Sequence, residues 1–70
     1  MSEQAFIEKV GKRIKKARIE RGYSQQVLAD KCEVEKANIS RIESGKVNLK
    51  ILTLRKIAQA LRVPLKDVIA

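Results

Sequence analysis

Seventy residues make one domain, and a chain this short buries only about 60% of the surface its unfolded form exposes, too little for a deep catalytic cleft. Sixteen Lys and Arg against eight Asp and Glu leave a net charge of +8. That field favours an anionic partner, nucleic acid first and anionic lipid second, over a basic but idle surface.

The absence of histidine and the single cysteine, Cys32, remove the commonest general base and the usual zinc ligands. Gly45 and Lys46 fit the end of a phosphate-loop pattern, but Ser40 stands where its first glycine is required. No enzyme, catalytic residue, metal or cofactor is expected. The longest apolar run is far below the roughly 20 residues of a membrane span. Met1 to Lys12 lacks a secretory leader pattern, so a cytoplasmic location is expected.

In chain order, Ile7, Val10, Ile14 and Ala17 recur at spacings of three and four. They form the apolar stripe of a helix over about 5–21, with Gly22 placed to end it. Lys9, Lys12, Arg13, Lys15, Lys16 and Arg21 fall on its other faces. A helix lying on a membrane surface would add Trp or several Phe, and only Phe6 is available. Gly11 costs about 1 kcal/mol relative to Ala inside a helix, a cost consistent with a closely packed neighbour or with simple tolerance.

Ser24 is a good N-cap and Tyr23 before it can staple onto Leu28, which opens a second helix over about 24–32. Leu28, Ala29 and Cys32 lie on its inner side. A third helix over about 35–44 stops at Gly45, with Ile39 and Ile42 inward and Val34 filling the preceding turn. Ile51, Leu54, Ile57, Ala58 and Leu61 predict a fourth over about 51–61. Pro64 opens a short fifth over about 64–69 that holds Leu65, Val68 and Ile69. Strand signals, linkers and repeats are absent, so the expectation is an all-α, five-helix single domain over 1–70.

Two short helices joined by a tight turn have a physical use. A helix with its side chains is about 10–12 Å across and fits the DNA major groove, while the N-terminal N–H groups of the helix before it can face a phosphate.

The strings Gly11-Lys12-Arg13-Ile14, Arg21-Gly22-Tyr23-Ser24-Gln25, Leu28-Ala29, Ile39-Ser40-Arg41-Ile42-Glu43-Ser44-Gly45-Lys46 and Thr53-Leu54 through Ala60-Leu61 resemble the Cro and lambdoid phage repressor family of helix-turn-helix proteins. Their joint order and spacing carry the resemblance, over residues 9–69. Small controller proteins of restriction-modification systems share the pattern and the length. The resemblance implies a lambda-repressor-like domain, double-stranded DNA as partner, and transcription control at a bacterial nucleoid, set by protein concentration without a small-molecule ligand. The chain departs from the family pattern at four places. Glu33 replaces the turn glycine, at a cost of about 1 kcal/mol if left-handed. Glu35 and Lys50 replace the usual caps of helices three and four, leaving Asn48 as a possible cap. Ala17 thins the core.

With Ile39 and Ile42 inward, a turn of about 100° per residue leaves Ala37, Arg41 and Ser44 outward, Lys36 and Ser40 on one flank and Asn38 on the other. Arg41 can bond guanine bidentately, Lys36 can reach guanine or phosphate, and the Ala37 methyl can touch a thymine methyl. Asn38 suits adenine or a phosphate equally. The resemblance independently points to positions 36, 37 and 41. It also likens Gln25 to a glutamine that grips phosphate and braces helix three, with Ser44, Lys46 and Asn48 where backbone contacts fall. Ser24 can cap and contact DNA at once. Arg18 occupies the position that in phage repressors pairs with the residue at Glu43, which implies a structural ion pair, the alternative being two solvated charges.

One helix-turn-helix reads too few bases for a genomic site, so a two-fold dimer on an imperfect palindrome is expected, with recognition helices about 34 Å apart. Leu49, Leu52, Leu65 and Ile69 are candidates for the dimer patch, core packing being the other role open to Leu65. A protein-interaction module without DNA binding, or an antitoxin-like partner protein, are the competing functions on this fold. The polar, basic face of Lys36 and Arg41 argues against the first.

Overall fold

A computed structural model describes residues 2–69. Its five helices are α1 (Glu3–Glu20), α2 (Gln25–Cys32), α3 (Lys36–Glu43), α4 (Ile51–Leu61) and α5 (Leu65–Ile69), with no strand among the described residues. The all-α, five-helix expectation matches. α1 starts two residues before the expected boundary because Ser2, extended at φ −70° and ψ 162°, caps it and accepts from the Ala5 N–H at 3.0 Å.

Every helix contributes to one core. Val10 and Ile14 of α1 meet Leu28, Ala29 and Cys32 of α2, Ile39 and Ile42 of α3, Leu54, Ile57, Ala58 and Leu61 of α4, and Val68 of α5. Each large aliphatic side chain removed from water in this way contributes roughly 1.5–3 kcal/mol. Cys32 is an apolar filler in that cluster, and burial pushes its thiol above the ordinary range against the lowering effect of Lys56. Tyr23 packs half-buried against the core with the Lys31 ammonium 5.1 Å from its ring centre.

The helix ends explain the connections. The Ser24 hydroxyl accepts from the Val27 N–H at 3.1 Å. Glu33 ends α2 left-handed at φ 58° and ψ 40°, the conformation for which glycine is the usual choice. Glu35 precedes α3 without a side-chain cap bond. The same holds for α4, where Lys50 is the N-cap residue and makes no such bond, so Asn48 does not take the capping role suggested for it. A second left-handed non-glycine, Arg62 at φ 57°, ends α4. There the Arg21 guanidinium from α1 donates to the carbonyls of Leu61, at 2.8 Å, and Arg62, at 3.4 Å. Arg21 thus joins the C-terminal ends of two helices rather than only decorating a surface.

Gly11 has a packing reason. A Cβ there would fall on the Ile42 carbonyl oxygen and lie 2.9 Å from that of Glu43. Only a residue without a side chain lets α1 approach the end of α3 this closely. Gly45 sits at φ 71°, and a Cβ on it would come within 2.7 Å of the Glu8 Cγ. The turn after α3 therefore rests directly on α1.

Candidate nucleic-acid interface

α2 and α3 are joined by Glu33, Val34 and Glu35. Val34 packs half-buried against the core and its N–H donates to the Ala29 carbonyl at 3.0 Å, which fixes the angle at which the chain enters α3. Ile39 and Ile42 are buried, so the rest of α3 has a defined outside. Lys36, Ala37, Ser40, Arg41 and Ser44 are exposed and Asn38 is half-buried. Arg41 and Asn38 border a shallow hollow of about 530 Å³ with Glu33, Val34 and Glu35.

A buried polar cluster holds this helix from behind. The Arg18 Nε donates to Glu43 Oε2 at 2.7 Å and its Nη2 to Oε1 at 3.1 Å. The remaining Arg18 nitrogen, Nη1, donates to the Tyr23 carbonyl at 2.8 Å. Gln25, at the first position of α2, donates from Nε2 to Glu43 Oε1 at 3.1 Å. The two side chains are 11% and 3% exposed, so the pair is shielded from the screening that weakens surface ion pairs. Among the described residues no buried side-chain nitrogen or oxygen lacks a partner. Three helices meet at one carboxylate, and α3 is tied to both α1 and α2.

The segment after α3 is fixed by α1. The Gln4 Nε2 donates to the Gly45 carbonyl at 2.9 Å, a contact that sequence pattern did not reveal because its two residues lie 41 positions apart. Lys46 and Asn48 are exposed in that segment. The Ser44 hydroxyl donates back to the carbonyls of Ser40, at 2.8 Å, and Arg41, at 3.2 Å, so a phosphate contact through its proton requires the side chain to turn outward. The exposed Ser24 is committed to its cap, and the half-buried Gln25 to Glu43. Arg18–Glu43 is the one ion pair among the described residues. Lys36, Arg41 and Lys46 therefore present unneutralised charge. Glu33 and Glu35 add two exposed carboxylates at the entrance to α3, which oppose an incoming anion.

The four dimer candidates separate into two groups. Leu49, Leu65 and Ile69 pack partly buried against the core, whereas Leu52 is 68% exposed, and its neighbour Ile51, which leads into α4, is 58% exposed. Leu49 also borders a hollow of about 610 Å³ with Ser2, Glu3, Phe6, Ile7 and Asn48.

A five-helix all-α domain with a braced α2–turn–α3 unit and a polar outward face on α3 defines a DNA-binding helix-turn-helix protein of the transcription-regulator class. The chain belongs to the HTH_3 helix-turn-helix family, which matches residues 14–68. No curated protein sequence matches it. Among solved structures it is similar to the restriction-modification controller protein C.AhdI from Aeromonas hydrophila, at TM-score 0.89 and 26% identity over 91% of this chain and 97% of that one. It is also similar to an HTH_3 family transcriptional regulator from Vibrio cholerae, at TM-score 0.90 and 30% identity over 96% of this chain, which spans 38% of that protein. The hypothetical transcription factor NHTF from Neisseria shares the fold at TM-score 0.91 and 24% identity, over 100% of this chain and 80% of that one.

Proposed function

We propose that the protein regulates transcription as a two-fold dimer on an imperfect palindromic operator, with α3 in the major groove of each half-site. The carrying observation is the two-sidedness of α3. Its inner side is fixed by Ile39, Ile42 and the Arg18–Glu43–Gln25 cluster, while Lys36, Ala37, Ser40 and Arg41 are left exposed. A rigidly held helix with a free fork donor and a small methyl suits base-edge readout. Arg41 is the guanine reader, Lys36 a guanine or phosphate contact, and Ala37 a thymine-methyl contact. Ser40 and Asn38 flank them. Lys46 and Asn48 hold the backbone beyond α3, and Ser24, Gln25 and Ser44 line its approach.

Dimerisation uses exposed apolar surface centred on Leu52 and Ile51, with Leu49, Leu65 and Ile69 at its margin. This modifies the four-residue patch of Leu49, Leu52, Leu65 and Ile69 expected from sequence, because three of those residues already pack against their own core. The A. hydrophila controller protein, matched over nearly its full length, supports a role as a small controller of transcription. Selection of bound sequences from a random duplex pool tests the proposal. A two-fold consensus with a guanine in each half-site is expected. A pool that remains random after selection would reject it in favour of a protein-interaction or antitoxin-like role.

A further inference from the structure

We infer that the solvent face of α1 is a second, sequence-independent DNA surface, with which a molecule seated on its operator holds another segment of duplex; this rests on the DNA-binding function proposed above. Lys9, Lys12 and Lys16 recur at spacings of three and four, and Lys15 lies beside them. Lys12, Lys15 and Lys16 are exposed, Lys9 is half-buried, and none takes part in an ion pair among the described residues. Like charges at these spacings destabilise a helix on their own, an effect that Glu8, four residues before Lys12, and Glu20, four after Lys16, offset only in part. Their repulsion is relieved when a polyanion covers them.

The direction of this face separates it from the recognition helix. Gly11 marks the side of α1 that touches α3. At about 100° per residue, Lys12 lies about 100° round the helix from Gly11, Lys16 about 140° and Lys9 about 160°. A duplex gripped by α3 therefore leaves Lys9 and Lys16 facing outward, away from it, with Lys12 to the side and Lys15, about 40° from Gly11, nearer α3. From Lys9 to Lys16 the helix rises about 10 Å. A duplex presents about six phosphate charges over that length.

The chemistry favours a nucleic-acid backbone over a folded protein partner. Lysines on flexible stems are point charges that follow phosphates without reading sequence. The hollow among Lys12, Lys15, Lys16, Ile19 and Glu20, about 450 Å³, is an open surface depression whose mostly apolar lining comes from the lysine stems and from Ile19, its sole apolar residue. One exposed isoleucine does not make an anchoring pocket.

The test immobilises an operator duplex from the selection experiment, loads the protein, and measures capture of a second, labelled duplex of unrelated sequence. Wild type captures the second duplex. With three phosphate contacts its capture affinity falls about 40-fold between 50 and 200 mM salt. The variant Lys9→Gln/Lys12→Gln/Lys16→Gln, its helicity checked by circular dichroism, keeps its operator preference and loses capture. Replacing the same three residues with Arg retains capture, which a helix-stability effect alone would not require. Operator binding without capture by wild type, or undiminished capture by the Gln variant, overturns the inference. So does binding of polyglutamate in place of duplex, which would assign the face to an acidic protein. Failure to bind the operator at all removes the DNA-binding function and this inference with it.

Discussion

Arg18 of α1 and Glu43 of α3 form a two-bond fork, at 2.7 Å and 3.1 Å, in a site almost closed to water. Removing one member of such a pair leaves the other buried and unpaired, at a cost of about 3 kcal/mol or more. A domain of this size has only several kcal/mol in total. Glu43→Gln, which keeps the shape, is therefore the practical variant. Urea titrations of wild type, Arg18→Ala, Glu43→Gln and the double variant should give a coupling above about 1 kcal/mol. A value below about 0.3 kcal/mol would reduce the fork to surface decoration.

Gly11→Ala sets two opposed effects against each other. Alanine favours a helix by about 1 kcal/mol over glycine, but its Cβ would collide with the Ile42 carbonyl, and overpacking of this kind costs roughly 1–3 kcal/mol. The contact is with backbone, which cannot swing aside as a flexible side chain can. Net destabilisation is expected, together with weaker operator binding as the end of α3 shifts. An unchanged or raised urea midpoint would show that α1 retreats freely.

Glu33→Gly acts in the other direction. It relieves a left-handed non-glycine residue worth about 1 kcal/mol, partly offset by the greater freedom of glycine in the unfolded chain. It also removes a carboxylate near the entrance to α3. Stability should rise by a few tenths to about 1 kcal/mol, and affinity for any duplex should rise with it. Loss of both would mean that the Glu33 side chain makes a contact within the fold that outweighs its backbone strain.

These variants also mark how far the sequence could be read. Val10, Ile14, Leu28, Ile39, Ile57 and Leu61 repeat with helical period, so the five helices and their inner faces were legible, as was the left-handed risk at Glu33. Gly11 was ambiguous because a glycine in a helix looks the same with or without a neighbour pressed against it. Gln4 bonding the Gly45 carbonyl, and Arg21 bonding those of Leu61 and Arg62, were not legible. Long polar side chains choose partners by three-dimensional proximity, and pattern along the chain carries no record of it. The exposure of Ile51 was left open by the pattern for a related reason. An apolar residue at the first turn of α4 satisfies the stripe, yet the core does not extend to cover it.

Assembly gives a fourth prediction. Leu52 and Ile51 are exposed side by side, apolar surface that an isolated monomer has little reason to display. The protein should sediment as a dimer at micromolar concentration. Leu52→Glu should yield a folded monomer with weakened operator binding. A wild-type monomer that binds a half-site as tightly as the full operator would remove the dimer from the proposal.

The central claim is that α3 reads bases through Arg41 while the segment after it only holds the backbone. Titrating wild type, Arg41→Ala and Lys46→Ala on operator and scrambled duplex at several salt concentrations measures this directly. Arg41→Ala should cost about 1–3 kcal/mol per half-site on the operator and flatten discrimination at one base position in each. Lys46→Ala should weaken both duplexes alike and lower the magnitude of the slope of log affinity against log salt by about one per contact, about two for a dimer. Equal losses on operator and scrambled DNA for Arg41→Ala would contradict base reading by that residue, and absence of salt-dependent binding to any duplex would contradict the account as a whole.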